Sequence, residues 1–382
     1  MLATLSRAFI YELKSISNSY YKLLLITILP LFSFWLIISI FEDGVAREIP
    51  LAVVDNDRSQ LSRMVIYNVD ASPTMKVDRV LDSTKEAISM LKHGRVYGVV
   101  VIPSHFYRDT ILHKKPQITA MLNTQYILIG KIVTSALSST IMTTSGYLEY
   151  MEKLAKLQNP NSAKVAVAPI SMQITPFFNT YQNYSYFLVS ALIPAIWQIF
   201  IVIATIVSIG VIFKTHKIRE FFKDSRYIPI KLIALQLPYT ISYTLIGVLY
   251  LLYIYSSWEF QGSFGMVVVA IFSTVVAYQS IALFIFTLGF EYTRSLSIGA
   301  VYTAPAFAFL GVTFPIYNMN EFALFWRSIL PISHYMEIVI SQANYGADIA
   351  LDIDKLGTIY AFWLLLIPVF WLFRYRVEKE LR

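Results

Sequence analysis

Six stretches of the chain, 23–41, 184–213, 232–258, 260–290, 295–320 and 356–373, contain no Asp, Glu, Lys or Arg. A helix needs about 20 mainly apolar residues to cross a hydrocarbon core of roughly 30 Å. Each stretch comes close to or exceeds that length. The sequence therefore predicts an α-helical polytopic membrane protein with six transmembrane helices. Gly262 and Gly265 move the expected start of the fourth helix to about residue 265. The fifth stretch holds Pro305 and Pro315, and its helix is expected to end near Phe314. Charged residues make up 14% and hydrophobic residues 56%, against about 25% charged in soluble domains. The net charge of +7 then reads as basic cytoplasmic loops rather than a nucleic-acid surface. The chain has no cysteine, which excludes disulfides, thiolate metal sites and a Cys nucleophile.

Charge sets the orientation. Outside residues 43–180, Lys and Arg fall in 7–22, in 214–231, at Arg294 and in 374–382, while the opposite side holds Arg327 and Lys355. Long translocated segments do not vote. Both termini are thus expected in the cytoplasm, with a bacterial inner-membrane location. The first apolar stretch runs on into Phe41-Glu42-Asp43 without a small-residue cleavage site, so it is read as a retained helix within 20–42 and not a signal peptide. Residues 1–19 place Leu2, Leu5, Phe9, Leu13 and Ile16 at helical spacing. That pattern favours a cytoplasmic interfacial helix over an extension of the first span.

Residues 43–180 carry a soluble pattern and are expected to form a large extracytoplasmic α/β domain between helices 1 and 2. Leu51–Val54, Met75–Val80, Val96–Ile102 and Gln117–Leu122 read as strands. Residues 59–69 read as a short helix. Ser83 with Glu86 forms a capping box for another, which Gly94 stops. Residues 126–157 predict one or two long helices, and 167–175 a returning strand. Residues 181–374 hold the remaining five spans, and 375–382 form a cytoplasmic tail.

No G-x-x-x-x-G-K-[ST] loop is present, so the chain is not expected to be an ATPase. Ser89-Met-Leu-Lys92 matches S-x-x-K on the polar side of a helix and carries no catalytic reading. The five histidines show no H-x-x-x-H pair. No predicted span carries an ionisable residue, which disfavours a proton-coupled carrier or an embedded enzyme. The energy for any transport must then come from a partner.

Two loops can serve one. Residues 214–226 mix basic side chains with Ile218, Phe221 and Phe222 on one helical side. This suits either docking into a cytoplasmic protein or anchoring on anionic lipid. Residues 315–350 contain two amphipathic runs, Glu321–Leu330 and Ile332–Ala343. They suit the outer interface, a re-entrant hairpin or a plain surface loop.

The arrangement resembles the ABC-2-type permease subunits of bacterial ABC exporters over nearly the whole chain. The marks are Pro50-Leu-Ala-Val-Val-Asp-Asn-Asp57, Phe177-Phe-Asn179…Tyr184-Ser-Tyr-Phe-Leu188 and Gly311-Val-Thr-Phe-Pro315…Leu330-Pro331-Ile-Ser-His334. Family members often show Asn-Pro and then Pro-Gly near the second span. Asn179-Thr180 and Ser190-Ala191 stand here, as in a divergent subfamily or a subunit paired with a more typical one. The resemblance implies a dimer with itself or a paralogue, two cytoplasmic ATPase subunits that bind ATP and Mg, no cofactor in this chain, and in some systems a periplasmic adaptor. It implies a coupling helix containing His216, Lys217, Ile218, Arg219, Glu220, Phe221 and Phe222, with 1–19 as the connecting helix. It also implies a substrate pathway including Trp197, Phe200, Phe307 and Phe309, and an outer gate including Phe314, Pro315 and Tyr317. The competing reading is a non-transporting secretion or phage-receptor-like membrane protein with a similar outside domain.

Overall fold

The computed structural model describes residues 2–157, 160, 183–215, 218–222, 225–256 and 258–381. The chain divides into two compact units, Val45–Thr175 and the remainder, Met1–Gly44 with Pro176–Arg382. The expected strand at 167–175 lies outside the described residues.

The larger unit begins with α1 (Leu2–Ser17) and α2 (Tyr20–Ile40). In α1 the buried positions are Ala8, Glu12 and Ile16, while Leu2, Ile10 and Leu13 are exposed. The protein-facing stripe is therefore partly polar, and apolar residues are left outward together with Ser6, Arg7 and Lys14.

The smaller unit is an α/β layer. Its elements are β1 (Ile49–Asp55), α3 (Gln60–Asp70), β2 (Met75–Leu81), α4 (Thr84–Lys92), β3 (Gly98–Ile102), α5 (Phe106–Ile111), β4 (Thr119–Leu122) and α6 (Ile127–Leu157). The strand order is β2-β1-β3-β4. β1 pairs in parallel with β2 and β3, and β3 pairs antiparallel with β4. The apolar run Leu51–Val54 is buried on both sheet faces, as expected for a central parallel strand. Leu51 and Val53 join one core with Val65, Val133 and Leu137. Ala52 and Val54 join the other with Ala87 and Met90. Ser83 caps α4 by position but makes no side-chain cap bond.

The rest of the larger unit comprises α7 (Tyr184–Lys214), α8 (Ile218–Phe221), α9 (Ile228–Ile254), α10 (Phe264–Gly289), α11 (Tyr292–Thr303), α12 (Ala306–Phe309), α13 (Glu321–Ser328), α14 (Pro331–Val339), α15 (Ile353–Ala361) and α16 (Leu366–Leu381). Among the described residues, six helices are long and apolar enough to span a membrane: Tyr20–Ile40, Ile127–Lys156, Ser185–Lys214, Ile228–Ile254, Phe264–Gly289 and Ile349–Lys379.

That set differs from the expected one at two places. The fifth expected span, 295–320, is not one helix. α11 has 12 residues, about 18 Å at 1.5 Å per residue, too short for the hydrocarbon core. Pro305 lacks the N–H that would continue the ladder, and Gly311 takes a left-handed φ of +83°. The sixth apolar helix is instead α6, which packs on the sheet of the α/β unit: Val133 and Leu137 are buried there, and Asn68 Nδ2 donates to Thr144 Oγ1 at 2.9 Å. It is long and apolar enough to span, while one face is already committed to the sheet.

Residues 331–344 are not a surface loop. Pro331, Ile332, Ser333, Tyr335, Met336, Ile338 and Val339 are buried, and the Ile332 N–H donates to Tyr278 Oη at 3.2 Å. The broken segment stands where one continuous span was expected, and the buried helical run 331–344 where the sequence offered an outer interface, a re-entrant hairpin or a surface loop.

α7 and α11 pack closely because Gly210 has no side chain. A Cβ there would lie 2.2 Å from the Tyr292 ring. Gly210→Ala is expected to destabilise by about 1–3 kcal/mol through overpacking, and adding Tyr292→Leu should recover most of that. Melting midpoints of the purified single and double variants check it; equal midpoints for wild type and Gly210→Ala would refute the close-packing account.

Candidate functional site

The segment 218–222 joins the ends of α7 and α9. His216 and Lys217 lie outside the described residues, as does the Arg219 side chain. Ile218 is half-buried and Glu220 exposed. Phe222 is fully buried. Its ring lies 4.9 Å from Phe221 and 5.0 Å from Phe373 in α16. The Phe221 ring lies 4.8 Å from Tyr11 of α1. Lys231 Nζ donates to the Phe221 carbonyl at 2.6 Å. The apolar stripe read from sequence is thus turned into the protein's own base, leaving Glu220 to face outward.

Tyr11 joins this junction to a buried ion pair. Lys22 Nζ donates to Glu12 Oε1 at 2.6 Å and to Ser15 Oγ at 2.9 Å. Tyr239 of α9 donates its hydroxyl to the same Glu12 oxygen at 2.7 Å. Neither charged side chain reaches solvent to any extent. Burial pushes the Glu12 carboxyl above the ordinary range, against the opposing pull of Lys22 and Tyr239. Burial, with the nearby Glu12 and Glu220 charges, also raises the Tyr11 phenol. Sequence reasoning missed this pair. Glu12 and Lys22 lie on different helices, and no helical spacing brings them together.

The end of α10 adds a second constraint at the same base. Phe290 has a left-handed φ of +50°, a conformation costing about 1–2 kcal/mol in a residue with a Cβ. Helices usually place Gly at this position; here Gly289 comes one residue early. The turn carries the Phe290 ring to 5.5 Å from Phe213 and 5.6 Å from Phe373.

The expected pathway residues separate. Trp197 is buried, and its Nε1 donates to the Tyr243 carbonyl at 3.1 Å, so it is a strut between α7 and α9. Phe200 and Phe307 are half-buried, as is Phe309, which lies 6.3 Å from Trp326. Phe314, Pro315 and Tyr317 are exposed. Behind them, Arg327 donates from Nη1 to the carbonyls of Phe309 at 2.8 Å and Leu310 at 2.6 Å. It donates from Nη2 to Glu337. Arg327 therefore caps the carbonyls that the helix break leaves without partners.

In the α/β unit a cleft of about 650 Å³ is lined by Arg58, Arg63, Tyr67, Asp55, Asp70 and Asp82, among others. Asp55 is already satisfied by the N–H groups of Asp57 and Arg58 and the Ser62 hydroxyl. Among the described residues no group of three or more His, Cys, Asp or Glu is placed to hold a metal ion.

Searches of curated proteins and of solved structures find no match to the chain. The model of the ABC-2 family transporter proteins matches residues 21–373, and the chain belongs to that family, as a multi-pass membrane permease rather than an ATPase.

Proposed function

We propose that the chain is the membrane subunit of an ATP-driven exporter, working as a dimer with itself or a paralogue and driven by separate cytoplasmic ATPase subunits that bind ATP and Mg. The observation that carries this reading is the base of the larger unit. There a short segment between two long apolar helices is fixed to α1 and α16 by ring contacts and to α9 by the Lys231 ammonium, yet keeps Glu220 outward. A segment built that way can receive a displacement and not absorb it. The distribution of Lys and Arg supports a cytoplasmic base and cytoplasmic termini in the inner membrane. With the N-terminus inside and one span before it, the α/β unit is extracytoplasmic, where an adaptor can meet it. The half-exposed Phe200 and Phe307 suit a pathway for an apolar or amphipathic substrate, and Phe314, Pro315 and Tyr317 suit its outer end.

A docked ATPase can shift the permease between states only by binding them unequally. The test is native co-purification in mild detergent, comparing wild type with Glu220→Arg. A P-loop ATPase should come down with wild type. Its yield should fall about tenfold in the variant, equivalent to about 1.4 kcal/mol. No ATPase with wild type across several detergents would favour the receptor-like alternative.

A further inference from the structure

The rings at the base form one connected cluster: Phe213 of α7, Phe222 after α8, Phe286 and Phe290 at the end of α10, and Phe373 of α16. Phe373 lies 5.0 Å from Phe222, 5.5 Å from Phe213 and 5.6 Å from Phe290. Phe213 lies 5.0 Å from Phe286. Phe222 and Phe373 are fully buried. The Arg376 guanidinium sits 5.7 Å over the Phe290 ring.

The 218–222 segment is linked through the backbone to α7 and α9 alone. Its contact with α16, a helix some 150 residues away in sequence, includes the Phe222 ring against Phe373. The Phe290 ring joins the same cluster from a left-handed backbone turn. A conformation of that kind persists where the surroundings over-determine it. Packed interiors deform little and transmit strain, and they shift between discrete arrangements.

We infer that Phe222, Phe290 and Phe373 form an aromatic joint that delivers movement of the 218–222 segment into α10 and α16. The three are positioning residues. This inference rests on the ATPase-coupling reading and names the route inside the permease. Phe290 is the place to break the joint, since it is part-exposed and lies at a helix end, where loss of the ring disturbs least.

The experiment uses the complex captured from native membranes, with hydrogen exchange followed by mass spectrometry before and after MgATP with vanadate. In wild type, peptides covering 213–231, 280–294 and 366–381 should all change their exchange. In Phe290→Leu the 213–231 and 366–381 responses should persist, with ATPase still captured, because Phe222 meets Phe373 directly, while the 280–294 response falls at least fivefold. Phe290→Tyr, which keeps a ring beneath Arg376, should restore it. An unchanged 280–294 response in Phe290→Leu overturns the joint. So does a wild type in which 213–231 responds and 366–381 does not, although the coupling reading then stands. Loss at all three segments in Phe290→Leu marks a general packing defect and also counts against the joint. If wild type captures no ATPase, the coupling reading itself fails and takes the joint with it.

Discussion

Lys22→Met is expected to lower stability by about 3–5 kcal/mol, the cost of leaving one partner of a buried ion pair without its counter-charge. Lys22 is held by Glu12 and Ser15, and Glu12 by Lys22 and Tyr239, with both charges away from solvent. Removing the ammonium strands the Glu12 carboxylate between α1 and α9. Replacing both members, Glu12→Leu with Lys22→Met, should recover most of the loss, because apolar side chains of similar volume need no desolvation penalty repaid. The remaining deficit is the Tyr239 hydroxyl without its acceptor, about 1–3 kcal/mol. The check is the melting midpoint of purified protein for wild type, both single variants and the double. A double variant as damaged as the single ones would mean that the pair itself, and not its imbalance, holds α1 in place.

Arg327→Met is expected to cost a similar amount, about 3–5 kcal/mol. It leaves Glu337 without its partner and uncaps the Phe309 and Leu310 carbonyls. Gly311 permits the turn, but its backbone conformation alone does not hold it; a Cβ at Gly311 would lie 3.0 Å from Arg327 Nη1, so the guanidinium fills the space beneath the turn. Exchange in residues 306–318 should quicken at least tenfold in Arg327→Met. Arg327→Lys should fall between, because an ammonium cannot reproduce the planar fork that serves two carbonyls and a carboxylate at once. A charge swap, Arg327→Glu with Glu337→Arg, should fail, since it restores the ion pair but not the cap. If the swap recovers wild-type exchange, the cap plays no part.

Five of the six apolar helices were legible as uncharged stretches, because hydrophobic length is the physical requirement for spanning. The fifth expected span was misread for the same reason. Absence of charge between Ser295 and Asn320 does not register the ladder break at Pro305 or the left-handed Gly311. α6 was read correctly as a long helix, but it is also long and apolar enough to span; only its packing on the sheet, through Val133 and Leu137, separates the two roles. In the α/β unit, β1 was clear from Leu51–Val54, since a central parallel strand is apolar on both faces. α5 was missed because Pro103 marked the end of β3 and nothing after it set a helical period.

At the base, periodicity located the stripe of Ile218, Phe221 and Phe222 but not its direction. Amphipathic spacing is the same whether the apolar side meets a partner or the chain's own interior. The ion pairs Glu12–Lys22 and Arg327–Glu337 each join different helices across a turn. Spacing rules apply within a helix, so neither pair could be read before the turns were known.

The chain has no cysteine, so a single introduced thiol reports on one place. Glu220→Cys and Tyr317→Cys, the latter at a residue 86% exposed, should be cross-linked in native membranes with a short thiol-to-amine reagent. An adduct with a P-loop ATPase from position 220 and none from 317 is the result this account predicts. An ATPase adduct from 317, or none from 220 in membranes where the chain is intact, would contradict it.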